Sequence, residues 1–236
     1  MGKQAYKEIL SKEKETTNVE LKQMVERVGR RIAAVSAMPN LEWEFKVIES
    51  EQKNAFALPG GKTAIYTGIL PVCLNEAGLA AVLGHEIAHV TARHSGQRIS
   101  RQYLLMGALS AAQISLSNNS HRKIILGALG VGAMYGIQLP FGRDNESEAD
   151  SIGLKYMARA GYDPREAVVF WVRFSKEKDG KAPPEFFSTH PSDNTRIRNL
   201  ERNLPRAMMD YRASKTKFGK GKNFPIKTSQ PTTTGK

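Results

Sequence analysis

The apolar residues in the first part of the chain recur every three or four positions. They are Leu21, Met24, Val25, Val28, Ile32 and Val35. Asn18, a good helix N-cap, precedes the series, and Pro39 follows it. The spacing therefore predicts an amphipathic helix that begins after Asn18 and ends before Pro39.

Shorter patterns of a different kind come next. Trp43, Phe45 and Val47 alternate with Glu44, Lys46 and Ile48, which predicts a half-buried strand. Two β-prone runs, 55–58 and 63–67, are joined by Pro59-Gly60-Gly61-Lys62. This arrangement predicts a hairpin.

The following segment is apolar on nearly every side. From Asn75, another good N-cap, to about His94 the chain contains helix formers throughout, and its apolar face is too wide for a surface helix. The segment predicts a buried central helix. Further helices are predicted over 145–160, from Asp163 through Phe174, and from a cap near Ser192 that follows the proline-rich loop 181–184. Helices around a sheet of three or four short strands predict an α+β fold.

Residues 102–142 form the most unusual stretch. Gln102 to Ser120 and Ile124 to Gly142 contain no Asp, Glu, Lys or Arg, and only His121-Arg122-Lys123 separates them. The pattern predicts an apolar helical hairpin, and Ala128, Gly132 and Gly136 at four-residue spacing would allow close approach of its arms.

The length of this hairpin argues against a membrane span. Its unbroken apolar parts would reach roughly 21–24 Å as helices, short of the ~30 Å hydrocarbon thickness of a bilayer. We therefore expect a buried or lid-like hairpin, with shallow membrane contact as the alternative.

The composition adds a basic C-terminus. The chain has 236 residues, 40% of them hydrophobic and 25% charged, which fits one globular domain. Of its net charge of +12, seven Lys or Arg residues lie from Arg212 to Lys236, where no acid occurs. We expect a folded domain over 1–204 and a basic flexible tail over 205–236, solvated or attracted to a membrane surface. No nucleic acid partner is expected, although attraction of the tail to nucleic acid is the remaining alternative.

The candidate chemistry lies on the central helix, in His85-Glu86-Ile87-Ala88-His89. Four residues advance a helix by 400°, so His85 and His89 share one face and can bind one ion. Glu86 lies beside that ion, where it can hold and deprotonate a water molecule. Two histidines and a glutamate inside an apolar helix would be costly without such an ion, which argues against a chance match.

A catalytic zinc ion needs a third protein ligand and an open position. The metzincin pattern requires Gly at 92 and His at 95, whereas the chain has Ala92 and Ser95. A carboxylate from a later helix is the remaining source. Glu146 and Asp150 lie one turn apart on one face, so one can bind zinc while the other orients a ligand histidine. Glu148 points away from Glu146 and is expected to be solvated.

Four segments match a known family in its own order. They are Asn54-Ala55-Phe56-Ala57-Leu58-Pro59-Gly60-Gly61, Gly84-His85-Glu86-Ile87-Ala88-His89-Val90-Thr91-Ala92-Arg93-His94, Glu146 to Asp150, and His190-Pro191 with Arg196. With them the chain resembles, over about 2–204, the gluzincin zinc metallopeptidases that include HtpX, the CAAX prenyl endopeptidase and the periplasmic protease BepA. HExxH alone is common to many families, but the four segments together are specific.

The resemblance implies a zincin-like fold and one Zn²⁺ per chain, bound by His85, His89 and Glu146. It implies Glu86 as general base, with Asp150 in support. It also implies that an edge strand binds an extended polypeptide by β-augmentation; this strand comprises Asn54, Ala55, Phe56, Ala57 and Leu58. The implied location is the periplasm or cell envelope, with a leader absent from this chain, and the cytoplasm otherwise.

Roles are also expected for His190, Arg196 and His94. Pro191 favours an extended backbone at His190, whose ring could then enter a cleft as an oxyanion donor or fill the open zinc position. The alternative is a loop histidine paired with the backbone. Arg196, on the following helix, is expected to support the site. His94, near the end of the central helix, is expected to complement the helix dipole.

These features favour a zinc-dependent endopeptidase that hydrolyses unfolded or misfolded proteins, in envelope protein quality control. The alternative is a catalytically silent relative that acts as a chaperone or as a membrane-surface binding module. The intact Glu86 argues against that alternative, because a binding module needs no general base.

Overall fold

A computed structural model of the chain describes residues 2–117, 119–134, 139–177, 190 and 194–224. Its helices are α1 (Gly2–Leu10), α2 (Val19–Ala34), α3 (Leu70–Cys73), α4 (Glu76–Thr91), α5 (His94–Ser115), α6 (Arg122–Ala133), α7 (Leu139–Arg159), α8 (Arg165–Lys176) and α9 (Asn194–Ala213). Its strands are β1 (Glu44–Ile48), β2 (Ala55–Leu58) and β3 (Lys62–Tyr66). The α+β prediction is confirmed. The predicted loop 181–184 and the cap at Ser192 lie outside the described residues.

The three strands form one small sheet in the order β1-β3-β2. β1 pairs with β3 in parallel, and β2 pairs with β3 in the predicted antiparallel hairpin. Residues 14–16 run along the outer side of β1, where the Thr16 amide donates to the Val47 carbonyl over 2.9 Å. β2 is therefore the edge that the sheet presents to α4, which packs beside it.

Helix α4 is the central element that the sequence predicts. The Asn75 side chain accepts a hydrogen bond from the Gly78 amide over 2.9 Å, which caps its first turn. Every residue from Glu76 to Ala88 is buried, because α2, α7, α8 and β2 all pack around the helix. The predicted end at His94 is wrong: α4 stops at Thr91, and Arg93 adopts a left-handed backbone with φ of 59°.

Helices α4 and α7 cross at a pair of glycines. A Cβ atom on Gly84 would lie 2.9 Å from the Gly153 carbonyl oxygen, and one on Gly153 would lie 2.7 Å from the His85 amide nitrogen. Side chains larger than hydrogen do not fit at either position. The crossing thus depends on two residues that the sequence analysis did not single out.

The apolar hairpin is present, but it is not buried. Leu104, Ile114 and Ile124 expose 73–76% of their surface, because the backbone break at Arg93 turns α5 away from the core. Apart from the backbone of its own helix, no atom of the described residues lies within 4 Å of a Cβ built on Gly132, so the expected close approach of the arms does not occur there. Gly136 lies outside the described residues. Among the described helices, none is both long enough and apolar enough to cross a membrane.

The C-terminal region also differs from the prediction. Instead of a flexible tail from 205, α9 continues through Ala213, and the chain then returns to the start of α4. The carbonyls of Lys220 and Lys222 accept the first two amides of α4 over 3.0 and 2.9 Å, and Phe224 is buried in the core. The charge and glycine content of residues 214–224 suggest a solvated segment. The buried Phe224 and the two hydrogen bonds to α4 nevertheless hold it against the domain. Residues 225–236 lie outside the described part.

Candidate metal centre and active site

The two histidines of α4 meet as their spacing predicts. Their Nε2 atoms lie 3.0 Å apart, and His85 is only 2% exposed. Each ring reaches this position because residues four apart share one face of a helix. The two nitrogen atoms point into the same small volume, next to α7.

Helix α7 supplies the carboxylate. Glu146 Oε2 lies 3.2 Å from His85 Nε2, and Glu146 Oε1 lies 3.3 Å from His89 Nε2. The glycine crossing of α4 and α7 makes this approach possible. The sequence left the choice between Glu146 and Asp150 open on geometry alone, and the structure places Glu146 at the two Nε2 atoms.

Asp150 and Arg196 lie behind His85. Asp150 Oδ1 is 2.9 Å from His85 Nδ1 and accepts a hydrogen bond from Arg196 Nη2 over 2.6 Å. The Arg196 guanidinium also lies 3.3 Å from Glu146 and 3.5 Å above the Trp171 ring. Burial opposes ionisation of Asp150, but Arg196 and His85 outweigh it and lower the pKa of this carboxyl group. These contacts fix the orientation of the His85 ring.

The fourth member of the cluster is His190. Its Nδ1 atom lies 2.9 Å from Glu146 Oε2 and 3.0 Å from His85 Nε2, and its Nε2 atom lies 3.4 Å from Glu86 Oε1. One ligand atom from each of His85, His89, Glu146 and His190 fits within 4.8 Å of the others. Pro191, on which the prediction for His190 rests, lies outside the described residues, as do residues 185–189.

The electrostatics suit a bound cation. Burial lowers the pKa of His89, and the nearby His85 adds to this effect, bringing the pKa to about 3. Burial and Arg196 also act against protonation of His85, but the hydrogen bonds from Asp150 and Glu146 prevail and raise its pKa to about 9. Burial alone would raise the pKa of Glu146, yet the three histidines lower it. The site therefore holds a carboxylate among imidazoles, and a metal ion that binds here would compete with a proton for His85.

Glu86 is placed for proton transfer. It is 2% exposed, its carboxylate accepts the Ala57 amide, and burial is the main cause that raises its pKa. Its Oε1 atom has no hydrogen-bond partner among the residues that the structure describes. A buried acceptor without a partner beside a cluster of metal-ligating atoms is a fitting position for a water molecule.

A scan against family models matches Peptidase family M48 over residues 20–204. The chain belongs to peptidase family M48. The resemblance stated from the four sequence segments is therefore confirmed, and the family match includes α2, the sheet and every residue of the cluster just described.

Curated members of the family show substantial identity to the chain. It is 44% identical to mitochondrial metalloendopeptidase OMA1 of Schizosaccharomyces pombe over 80% of its own length and 55% of that protein. The corresponding protein of Saccharomyces cerevisiae is 37% identical over 76% of this chain and 52% of the yeast protein. The beta-barrel assembly-enhancing protease of Escherichia coli is 29% identical over 75% of this chain and 37% of the bacterial protein. The matched part of the chain thus spans about half or less of the length of these relatives.

The predicted substrate strand lies beside the M48 site. β2 is the sheet edge next to α4, and the Ala57 amide, which donates to Glu86, points away from β3. Asn54, just before the strand, accepts the Ala55 amide with its own side chain. Phe56 packs against Tyr6 and Tyr66 on one face of the sheet. The strand and the metal-ligating cluster are therefore neighbours.

The role expected for His94 is wrong. His94 does not complement the end of α4 but begins α5, buried, with Nδ1 2.8 Å from His89 Nδ1 and Nε2 3.2 Å from Glu148 Oε2. Glu148 is half-exposed as expected, yet it also holds this histidine. The signal that could have found the contact is the Arg93-His94 pair just past the helix, because a turn there can bring a side chain back to the last helical turn.

Proposed function

We propose that this chain is a zinc-dependent endopeptidase that hydrolyses peptide bonds in unfolded or misfolded proteins. The observation that carries the proposal is the cluster of three imidazoles and one carboxylate beside the buried Glu86. A tetrahedral zinc site with ligands at ~2.0–2.1 Å has ligand atoms about 3.3 Å apart. The two Nε2 atoms lie 3.0 Å apart, and each has one Glu146 oxygen near that distance, Oε2 at 3.2 Å from His85 and Oε1 at 3.3 Å from His89, which supports zinc with these three residues as ligands.

The residues around the cluster support a hydrolytic mechanism. When bound, zinc polarises the scissile carbonyl and lowers the pKa of a water molecule. Glu86 takes the proton of that water and passes it to the leaving amine. Asp150 and Arg196 keep His85 oriented during these steps. His190 Nε2, close to Glu86, donates to the developing oxyanion; in a closed arrangement its ring would instead occupy the position that water needs.

The edge strand supports an extended substrate. Residue 54 and, within β2, residues 56 and 58 face β3 through their backbone groups, so those of Ala55 and Ala57 point outward toward α4. The two outward amides already meet Asn54 and Glu86, which leaves the carbonyls of Ala55 and Ala57 for a substrate. An added strand would place its peptide groups beside Glu86, and main-chain pairing requires no particular side chain. This geometry suits unfolded polypeptides better than one folded partner.

A direct test uses casein with purified protein. The wild type should cleave it, a chelator should abolish cleavage and added zinc should restore it. Glu86→Gln should retain stoichiometric zinc, because the ligands are intact, and lose almost all hydrolysis, because the base is gone. Cleavage by Glu86→Gln at the wild-type rate would remove Glu86 from the mechanism. Zinc-loaded wild type without cleavage would favour the silent binding-module alternative, against which the intact base and the peptidase relatives already argue.

We also propose that the hairpin touches an anionic membrane surface. It exposes large apolar side chains, among them Tyr103, Leu104, Ile114 and Ile124. From 87 to 143 the chain carries six Lys or Arg residues and no Asp or Glu. Apolar residues flanked by cations suit the headgroup region of anionic lipids.

Vesicle sedimentation tests this contact. Wild type should bind vesicles with anionic lipid more than neutral ones, and Leu104→Ser with Ile124→Ser should weaken binding. A variant lacking 225–236 should still bind. If only that deletion abolished binding, the basic tail and not the hairpin would be the contact.

The relatives bear on location. The fungal proteins with 44% and 37% identity are named mitochondrial. We therefore propose a mitochondrial location in preference to the periplasmic or envelope location expected from the sequence. Cell fractionation with an antibody against this chain would decide between them, and recovery in an envelope fraction would favour the earlier expectation.

A further inference from the structure

A chain of three polar side chains runs from the metal cluster to the surface. His89 is its inner member, His94 the middle one and Glu148 the outer one. The ring nitrogens His89 Nδ1 and His94 Nδ1 are 2.8 Å apart, and His94 Nε2 lies 3.2 Å from Glu148 Oε2. His94 is 4% exposed, whereas the Glu148 side chain is 54% exposed. His94 is therefore shielded from solvent, whereas Glu148 is in contact with it.

Only one arrangement of protons lets His89 serve as a ligand. His89 Nε2 faces His85 and Glu146, so a metal ion would bind that nitrogen. The proton of the neutral ring then lies on Nδ1 and is donated to His94 Nδ1. His94 in turn carries its own proton on Nε2 and donates it to Glu148. Both hydrogen bonds point outward, and the negative charge of Glu148 favours this direction.

The backbone conformation between α4 and α5 brings His94 next to His89. Arg93, between the two helices, has φ of 59°, a left-handed conformation that a residue with a side chain rarely adopts. A continuous helix would place residue 94 about 140° away from residue 89 around the axis. The break instead starts α5 with the His94 ring against the His89 ring, at a centroid distance of 4.8 Å.

We infer that His94 is a positioning residue for the metal site. It fixes the protonated nitrogen and the ring orientation of His89, as Asp150 does for His85, and Glu148 holds His94 from outside. The inference rests on the proposed zinc site. It assigns to the second ligand histidine a support that no sequence motif indicated.

The test measures zinc affinity by competition with a chromophoric chelator. His94→Leu removes the acceptor and should weaken zinc binding by about 10–100-fold, the range measured for residues that support metal ligands. His94→Asn retains an acceptor oxygen near the former Nδ1 position and should recover most of that loss. A second measurement is the visible absorption of cobalt-substituted protein, which should shift in His94→Leu and much less in His94→Asn. A role in packing alone would not be rescued by the smaller, polar Asn.

The outer residue has a matched control on the same helix. Glu148→Ala should weaken zinc binding only a few-fold, because water can replace this exposed acceptor. Asp144→Ala removes the same charge from an exposed position one turn earlier in α7 and should leave affinity unchanged. The two variants separate the hydrogen bond from a general loss of negative charge.

Several results would overturn the inference. If His94→Leu folds and keeps wild-type zinc affinity and cobalt absorption, His94 does not position the ligand. If His94→Leu does not fold, Glu148→Ala is the deciding variant. A zinc affinity equal to that of Asp144→Ala would then refute the proposed hydrogen-bonded series from His89 through His94 to Glu148. A wild-type protein that binds no zinc would refute the proposed function itself, so the two failures are distinguishable.

Discussion

Replacing Gly153 by Ala should damage the metal site through the crossing of α4 and α7. The new Cβ would lie 2.7 Å from the His85 amide nitrogen and 2.8 Å from the Gly84 carbonyl carbon. Ordinary contacts are ~3.5–4.0 Å, so the two helices must separate by about 0.7 Å or more. His85 lies on α4, whereas Glu146 and Asp150 lie on α7, so the separation acts between ligands.

The size of the effect follows from this displacement. Metal–ligand distances tolerate shifts of about ±0.2 Å, well below the required movement, so zinc affinity should fall at least tenfold. Overpacking of this kind costs about 1–3 kcal/mol, which corresponds to a Tm lower by ~2–12 °C for a chain of this size. Alanine also improves helix propensity by up to about 1 kcal/mol, which hides part of the cost.

Gly142→Ala removes that ambiguity. Gly142 lies in the same helix, and in the described part of the chain no atom outside the backbone of that helix is within 4 Å of a Cβ built on it, so this variant gains helix propensity without a clash. We expect the metal-free Tm of Gly153→Ala to lie ~2–12 °C below that of Gly142→Ala, as measured by circular dichroism. Zinc affinity, measured by chelator competition, should fall only in Gly153→Ala. Equal Tm and equal affinity in the two variants would refute the reasoning about the crossing.

Other substitutions test individual residues of the site. Glu146→Ala should weaken zinc affinity, measured by chelator competition, by more than the ~10–100-fold that loss of a supporting residue costs, and a variant with wild-type zinc affinity would exclude Glu146 as a ligand. Ala57→Pro removes the amide that meets Glu86 but no bond to β3, so the protein should fold and bind zinc yet cleave casein poorly; unchanged cleavage would count against β2 as the substrate strand. His190→Ala should lower kcat by roughly 10²–10³ with little change in KM if the ring donates to the oxyanion, and should raise basal activity if it blocks the site. If His190→Ala has wild-type kinetics and wild-type zinc affinity, His190 neither donates to the oxyanion nor blocks the site.

Features determined within one or two turns could be predicted from the sequence. Asn18 and Asn75 cap α2 and α4 because a side-chain oxygen reaches an amide three residues ahead. His85 and His89 meet because of helical periodicity, and the hairpin of β2 and β3 follows from the glycines between them. The family resemblance also needed only short, local segments. In each case the deciding contact joins residues that are close in the chain.

What could not be predicted depends on how elements meet. Local geometry allowed Glu146 or Asp150 as the third ligand, and the choice needed the crossing at Gly84 and Gly153. The contact between His94 and His89 needed the left-handed backbone of Arg93, which no propensity indicates for arginine. The hairpin was expected to be buried or lid-like, with shallow membrane contact as the alternative, whereas its direction after that same break leaves it exposed.

The return of the chain to the start of α4 has a consequence for synthesis. The first two amides of the helix that carries His85 and Glu86 find their acceptors at 220 and 222, more than 140 residues later in the sequence. A ribosome-bound chain that has not yet released these residues has an incompletely capped α4, so we expect peptidase activity to appear only after residues 220–222 have left the ribosome. A fragment cut at residue 204, where the family match ends, would lack the same cap permanently.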